Sequence, residues 1–247
     1  MNFGGAPTAA TGPADGLSDA DNQTSAGLPL LACLDLVKCF GSDIALNGAS
    51  LQLKAGEVVA VMGPSGSGKS TLLHCAAGIV RPDDGAVIFE GRVIDRLSDA
   101  RRSALRRSAF GFVFQFGRLV PELSCVENVA LPLMLSGHGR RAAVVRATDW
   151  LARLEVEDLA KALPGDISGG QGQRVAVARA LVTRPQVIFA DEPTGALDSL
   201  SGERVMTLLI GAARQSGAAV VLVTHEPRVA AYADREVTVR DGRTVVG

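Results

Sequence analysis

The chain has 247 residues, 25 of them basic and 26 acidic, so the formal net charge is −1, and 47% are hydrophobic. That apolar share supports one large buried core, the ordinary condition of a single α/β domain of this length. The near-neutral balance lends no support to a polyanion-binding surface, and no nucleic-acid partner is expected.

Residues 1–28 are rich in Gly, Ala, Pro, Thr and Asp and nearly free of large apolar side chains. They cannot bury enough surface to offset their ordering entropy and are expected to form a disordered tail. No basic stretch followed by an apolar one opens the chain, so no signal peptide is read there. From residue 29 to 247 the composition is globular. "LACLDLVKCF" and "GASLQLKAGE" read as strands around a turn at "FGSD". "GEVVAVMG" is an apolar strand entering a glycine-rich turn, "KSTLLHCAAGIV" the helix after it, and "GAVIFEGRVI" a short strand pair. "LSDARRSALRRSAFGFVFQ" is a basic helix leading into a strand. Over about 118–165 the pattern turns helical, predicting an inserted subdomain. A glycine-pair helix, the strand "QVIFA", the helix "SGERVMTLLIGAARQSG", the strand "AAVVLVTH" and the strand pair "REVTVRDGRTVVG" close the chain. Strands alternating with helices predict an α/β fold with a mainly parallel sheet and an antiparallel β portion. The most apolar runs are strand-sized, far short of a membrane span. Cys33, Cys39, Cys75 and Cys125 form no C-x-x-C pair and read as free thiols in a reducing cytosol.

Gly63, Pro64, Ser65, Gly66, Ser67, Gly68, Lys69 and Ser70 fit G-x-x-x-x-G-K-[ST], with a strand before and a helix, including Thr71, after. Glycines let several backbone N–H groups converge on phosphate oxygens, and the helix N-terminus adds partial positive charge. Lys69 would reach the β- and γ-phosphates, and the Ser70 hydroxyl would ligate Mg²⁺. In "VIFADEP" the acids appear only as an apolar strand leaves the sheet. Asp191 is placed to hold Mg²⁺ through water, and Glu192 to orient and deprotonate an attacking water. His225 ends another apolar strand at the edge where open α/β sheets bind ligands; it reaches a γ-phosphate or is a satisfied structural histidine. His74 and His138 take the structural reading.

The P-loop, "FVFQ" with Gln115, "ISGGQ", "ADEPTGALDS" and "TH", in that order, resemble the nucleotide-binding domain of ABC transporters over about Leu30 to Gly247. The resemblance implies a P-loop NTPase core that binds ATP and Mg²⁺ and hydrolyses ATP. It makes Gln115 a contact of Mg²⁺ and the attacking water, and Ser168, Gly169, Gly170 and Gln171 a signature. That signature closes over ATP held by the P-loop of a second copy, packed head to tail. Asp198 corresponds to the D-loop aspartate and His225 to the switch histidine. Phe40 stands where the family stacks an aromatic on adenine; core packing is the alternative. "GPSGSGKSTLLH", "GFVFQ", "ENVALPLML" and "ADEPTGALDS" are closest to the LolD-, MacB- and FtsE-like group. That implies a separate membrane permease, of the FtsX or MacB kind, with the chain peripheral on the cytoplasmic membrane face, working as an exporter or in force transmission. Two departures stand out: Ile167 where leucine is commoner, and Gly172 where a polar residue is usual.

"LVPELSCVENVALPLML" either forms the permease-docking groove, as in the family, or is plain core. "RRSALRR" faces lipid or a permease, or is a solvated helix face. Trp150 reads as core. A soluble ABC ATPase acting on nucleic acid or ribosomes, and a non-hydrolysing nucleotide sensor, are the competing functions. The first usually carries paired domains, a coiled coil or a zinc hook. The second loses the residues that Glu192 and His225 supply here.

Overall fold

The computed structural model describes residues 28–246; apart from Leu28, the expected tail lies outside them. β1 (Leu31–Phe40) and β2 (Asp43–Leu53) form a hairpin, and β3 (Val58–Met62) enters α1 (Lys69–Ala76) through the glycine-rich loop. β4 (Asp84–Phe89) and β5 (Arg92–Val93) follow, then α2 (Asp99–Ala109) runs directly into β6 (Phe110–Phe114). The helical stretch holds α3 (Cys125–Leu135) and α4 (Arg140–Arg153), and α5 (Gly169–Leu181) is the glycine-pair helix. β7 (Val187–Asp191), α6 (Ser199–Ser216), β8 (Ala219–Val223), α7 (Pro227–Ala230), β9 (Arg235–Arg240) and β10 (Arg243–Val246) complete the order.

Two sheets result. A four-stranded antiparallel sheet runs β2-β1-β4-β5, and a six-stranded sheet runs β10-β9-β3-β8-β7-β6. The larger sheet is parallel except at β10. Side chains alternate across it with the period of two that a strand imposes. Val187 and Phe189 face one core, together with α1 and the small sheet. Ile188 and Ala190 face the other, under α3 to α6. Phe189 is buried against Phe110 at 5.2 Å edge-on and Phe112 at 5.7 Å stacked, an arrangement worth about 0.5–1.5 kcal/mol per pair beyond its area. Trp150 is core, as read, with the Arg153 guanidinium 5.0 Å from its ring.

Several local readings change. α1 stops at Ala76 instead of running through Val80, because Gly78 turns left-handed at φ 63° and ends the ladder. The basic helix α2 is not an evenly solvated face. Arg102 is buried and paired with Asp99, and Arg106 donates to the Gly78 carbonyl at 2.6 Å, while Arg101 and Arg107 are exposed. The short α7, with Pro227 at its start, has no apolar periodicity to betray it. The four cysteines carry no disulfide, and burial pushes the Cys75 thiol up to about 12.

The register of the parallel strands sets up the site. Val61, Val223, Asp191 and Phe114 lie in one row across β3, β8, β7 and β6. The next residues of all these strands therefore emerge together at the C-terminal edge: the glycine-rich loop, His225, Glu192 and Gln115.

Candidate functional site

The loop from Gly63 to Gly68 folds so tightly that its glycines have no substitutes. Gly63 and Gly68 have φ of 145° and 105°, and a Cβ on them would overlap the carbonyls of Val239 and Ala45. Pro64, Ser65 and Gly66 form the loop's crown. Ser67 is buried with no hydrogen-bond partner for its hydroxyl among the described residues, and its carbonyl accepts the Gly242 N–H at 3.0 Å. Lys69 opens α1 with its stem buried, and Nζ donates to the Pro64 carbonyl at 2.7 Å. Thr71 follows in the first turn of α1. The Ser70 hydroxyl donates to Oδ1 of Asp191 at 3.0 Å, joining the start of α1 to the end of β7. This pair offers two hard oxygen donors beside an array of N–H groups at a helix start, which is a phosphate-and-cation environment.

One residue beyond Asp191, Glu192 adopts φ 47°, a left-handed backbone that costs a non-glycine residue about 1–2 kcal/mol. The turn aims its carboxylate across the strand ends. Oε1 lies 2.9 Å from Nδ1 of His225. Oε2 and the Gln115 amide flank Gly195, where a Cβ would lie 3.1 Å from Oε2 and 2.8 Å from Gln115 Nε2. A carboxylate bonded to an imidazole, with an amide across Gly195 and the glycine-rich loop beside it, can accept a proton from a water.

The "ISGGQ" segment is not part of the glycine-rich loop, and Ser168 and Gly169 border a cleft that Gln115 also lines. Ser168 caps α5: its Oγ accepts the Gln171 N–H at 3.3 Å, and Gln171 Oε1 accepts the Ser168 N–H at 2.8 Å. Gly169 packs on Leu197, and Gly170 is so close to α6 that a Cβ would lie 3.1 Å from that of Ser201. Asp198 caps α6 through the Ser201 N–H at 2.9 Å and its hydroxyl at 2.7 Å; those bonds hold its carboxyl below the usual carboxylate range. Among the described residues no hydrogen bond joins this pair of helix starts to the glycine-rich loop of the same chain.

Phe40 is 53% exposed at the end of β1, so core packing is ruled out. Lys38 Nζ stands 5.5 Å from that ring. His74, half-buried in α1, has its pKa lowered by desolvation; His138 closes α3 through the Leu133 carbonyl at 3.1 Å. Sequence reasoning missed Asn128 and Gln173, both buried. Asn128 accepts the Val120 N–H at 2.7 Å and donates to the Val120 and Leu123 carbonyls at 3.0 and 2.9 Å, shaping the loop after Gln115. Gln173 donates to the Phe114 carbonyl at 2.8 Å. A buried polar position at helical spacing was the only signal for either.

With this geometry, comparison with known proteins decides the family. The family model described as ABC transporter matches residues 46–195. The chain belongs to the ABC transporter family. It is similar to the lipoprotein-releasing system ATP-binding protein LolD of Granulibacter bethesdensis, 46% identical over 202 residues, 82% of this chain and 88% of that one. The LolD of Gluconobacter oxydans is 42% identical over 228 residues, 91% of this chain and 99% of that one. Among solved structures, the dimer of a bacterial ABC transporter cassette superposes with a TM-score of 0.81 at 39% identity, covering 87% of this chain and 96% of that one. A dimeric post-hydrolysis cassette bound to ADP and Pi gives 0.80, also at 39% identity, with the same coverage. The α/β fold is that of the ABC cassette. The chain is therefore an ATP-binding, ATP-hydrolysing subunit of an ABC transporter, which powers a separate membrane permease. Among the described residues no helix is long and apolar enough to cross a membrane.

Proposed function

We propose that the chain is the motor subunit of a lipoprotein-releasing exporter, working as a head-to-tail pair on the cytoplasmic face of a permease of the FtsX or MacB kind. The similarity to LolD proteins over most of both chains supports this substrate class. The observation that carries the mechanism is the meeting of Glu192, His225 and Gln115 at the edge of the sheet, beside the glycine-rich loop.

In this reading the N–H groups from Gly63 to Thr71 and the Lys69 ammonium hold the β- and γ-phosphates, and Phe40 stacks on adenine. Ser70, Asp191 and Gln115 would hold Mg²⁺. The donors suit that ion, being hard oxygens, and the described residues contain no cluster of three or more His, Cys, Asp or Glu that would make a rival site. When bound with the nucleotide, Mg²⁺ neutralises charge that develops on the phosphate oxygens. Glu192 takes the proton of the attacking water, His225 orients Glu192 and contacts the γ-phosphate, and Gln115 positions the water. Ser168, Gly169, Gly170 and Gln171 form a helix start that, among the described residues, no hydrogen bond joins to the glycine-rich loop of its own chain. It is suited to close over the nucleotide of a second copy, with Asp198 beside it. A groove of about 530 Å³ between α2, β6 and α3, bordered by Leu131, Pro132 and Leu135, is suited to the permease. In this reading 29–247 is one ATPase domain with its helical subdomain at about 118–165.

The test is reconstitution. The chain is purified from detergent extract with the membrane protein it retains and placed in proteoliposomes loaded with a triacylated lipoprotein. ATP-dependent release of that lipoprotein, abolished by Glu192→Gln, is expected. A retained permease that hydrolyses ATP without releasing lipoprotein would remove the substrate assignment and leave the motor.

A further inference from the structure

α5 has a face that the reading above does not use. Gly172, Gln173, Ala176 and Arg179 recur along it at helical spacing and meet the segment that follows Gln115. A Cβ on Gly117 would lie 3.4 Å from Oε1 of Gln173 and 3.6 Å from the Cβ of Ala176. Arg179 completes the contact. Its Nη2 donates to the Gly117 carbonyl at 2.6 Å and its Nη1 to the Arg118 carbonyl at 2.8 Å. The planar guanidinium fork thus spans two successive carbonyls with donors in a fixed geometry, where an ammonium would offer only a compact point charge on a flexible stem.

The backbone held in this way is one that resists its own conformation. Gly117 and Arg118 are both left-handed, at φ 64° and 46°, a region that glycine enters freely and that is costly for an arginine. The guanidinium itself is also in an unusual place. Burial pushes its pKa down, and among the described residues no carboxylate pairs with it. Plain helix packing would be served by an apolar side chain without the cost of desolvating a charge. What the charge accomplishes is to fix the Gly117–Arg118 turn.

We propose that Arg179 is a positioning residue for Gln115. The fork locks the turn two residues beyond Gln115, and so sets the direction in which the Gln115 amide meets Glu192 and the Gly195 backbone. The same guanidinium forms part of the wall of the groove bordered by α2, β6 and α3, so the latch stands between that groove and the amide. The proposal rests on the reading of Gln115 and Glu192 given above.

Steady-state ATPase kinetics on the purified full chain test it, with Arg179→Lys, Arg179→Met, Gln115→Ala and the Lys and Ala changes combined. Arg179→Lys keeps the charge but loses the fixed planar fork that fits both carbonyls. Its kcat should fall about tenfold, the weight of one charge-assisted hydrogen bond, while KM for ATP stays within about twofold because the phosphate loop is untouched. In the Gln115→Ala background the same substitution should change kcat no further, since residues acting through one another are not additive. A purely structural role would give a kcat loss that adds in full to that of Gln115→Ala. That result, or an unchanged kcat in a folded Arg179→Lys, overturns the latch. Should Arg179→Met fail to fold, the Lys variant with parental thermal stability carries the test alone. If Gln115→Ala leaves kcat intact, the reading of Gln115 itself fails and the latch with it; if only the Arg179 variants are silent, the reading stands and the latch falls.

Discussion

Nδ1 of His225 and Oε1 of Glu192 lie 2.9 Å apart across 33 residues of sequence. The contact follows from strand register. Asp191 pairs with Val223, the Glu192 N–H donates to the Val223 carbonyl at 2.9 Å, and the left-handed turn at Glu192 swings the carboxylate toward the end of β8. With Nδ1 protonated, the imidazole donates to the carboxylate and leaves the second oxygen for water. Glu192→Gln preserves the shape and removes the proposed base. Turnover should drop by about 10²–10⁴-fold with ATP affinity retained, and the trapped nucleotide should shift the protein to a dimer on size-exclusion chromatography. Retained turnover would take the base away from Glu192.

Gly195→Ala should slow turnover. Its Cβ would lie 2.8 Å from Nε2 of Gln115, which must shift, and 3.1 Å from Oε2 of Glu192, which must give by a few tenths of an ångström. An ångström of misplacement at a reacting group can cost about 10²-fold. The shift needed here is smaller and falls on the ends of two flexible side chains, so we expect kcat to fall by about tenfold while KM for ATP holds. An unchanged kcat would mean that Gln115 and Glu192 can separate without consequence.

The phosphate loop, the acid pair at the end of β7 and the alternation of strands with helices were legible because each is local. A glycine run between an apolar strand and a helix, or an acid where an apolar run ends, is written in consecutive residues. The contacts that connect these pieces were not. Nothing in the sequence pairs Arg179 with the carbonyls after Gln115, or sends Asn128 back to Val120, because backbone carbonyls carry no identity in the sequence. Phe40 could not be resolved either. An aromatic ending an alternating strand fits a core or a ligand equally well, and only its exposure excluded the core.

Asp234 links the strand start to α6, and its contribution should depend on pH. Its Oδ2 accepts the Val58 N–H at 2.8 Å and its Oδ1 the Arg214 guanidinium at 2.8 Å. These contacts, the Val58 N–H first, hold its carboxyl below the usual range. A folded-state pKa below the unfolded one means stability that is fully present above about pH 4 and is lost as pH falls through the lower, folded value. The side chain is 40% exposed, so solvent screening limits the effect. Asp234→Ala should cost about 1 kcal/mol in urea unfolding at pH 7. The gap between variant and parent should narrow toward pH 3. A gap independent of pH would assign the effect to packing.

Gly172→Ala should stabilise the protein. Gly172 stands in the first turn of α5, where its N–H reaches the Ser168 carbonyl at 2.8 Å. Its φ is not left-handed, and an added Cβ would meet only Cδ1 of Ile167, at 3.8 Å. Alanine therefore fits without strain, and the gain of about 0.4–1 kcal/mol comes from the reduced freedom of the unfolded chain. Thermal unfolding without nucleotide should show a rise of a few degrees, roughly what that energy gives in a domain of this size. A fall would indicate that the first turn of α5 needs its glycine backbone.

Shared sites make a prediction that no single-chain site can meet. Lys69→Ala disables the P-loop of one subunit, and Ser168→Arg disables the signature of the other. Ser168 also caps α5, so its loss costs about 1 kcal/mol of helix stability, and circular dichroism must first show the variant folded. A dimer of either variant alone has two broken sites. In the mixed dimer one site collects both lesions, while the other joins an intact P-loop to an intact signature. Mixing two inactive proteins should therefore restore hydrolysis. If each signature served its own P-loop, the mixture would stay dead. The double variant mixed with wild type runs the logic backwards. Shared sites leave that mixed dimer no intact site, whereas self-contained sites leave the wild-type subunit active. Lys69→Ala with wild type keeps one intact site under either arrangement, and so reports whether a single site can fire. Tagged co-purification establishes that the mixed dimers form. Activity in this last pair, with none in the complementing mixture, would return "ISGGQ" to its own chain.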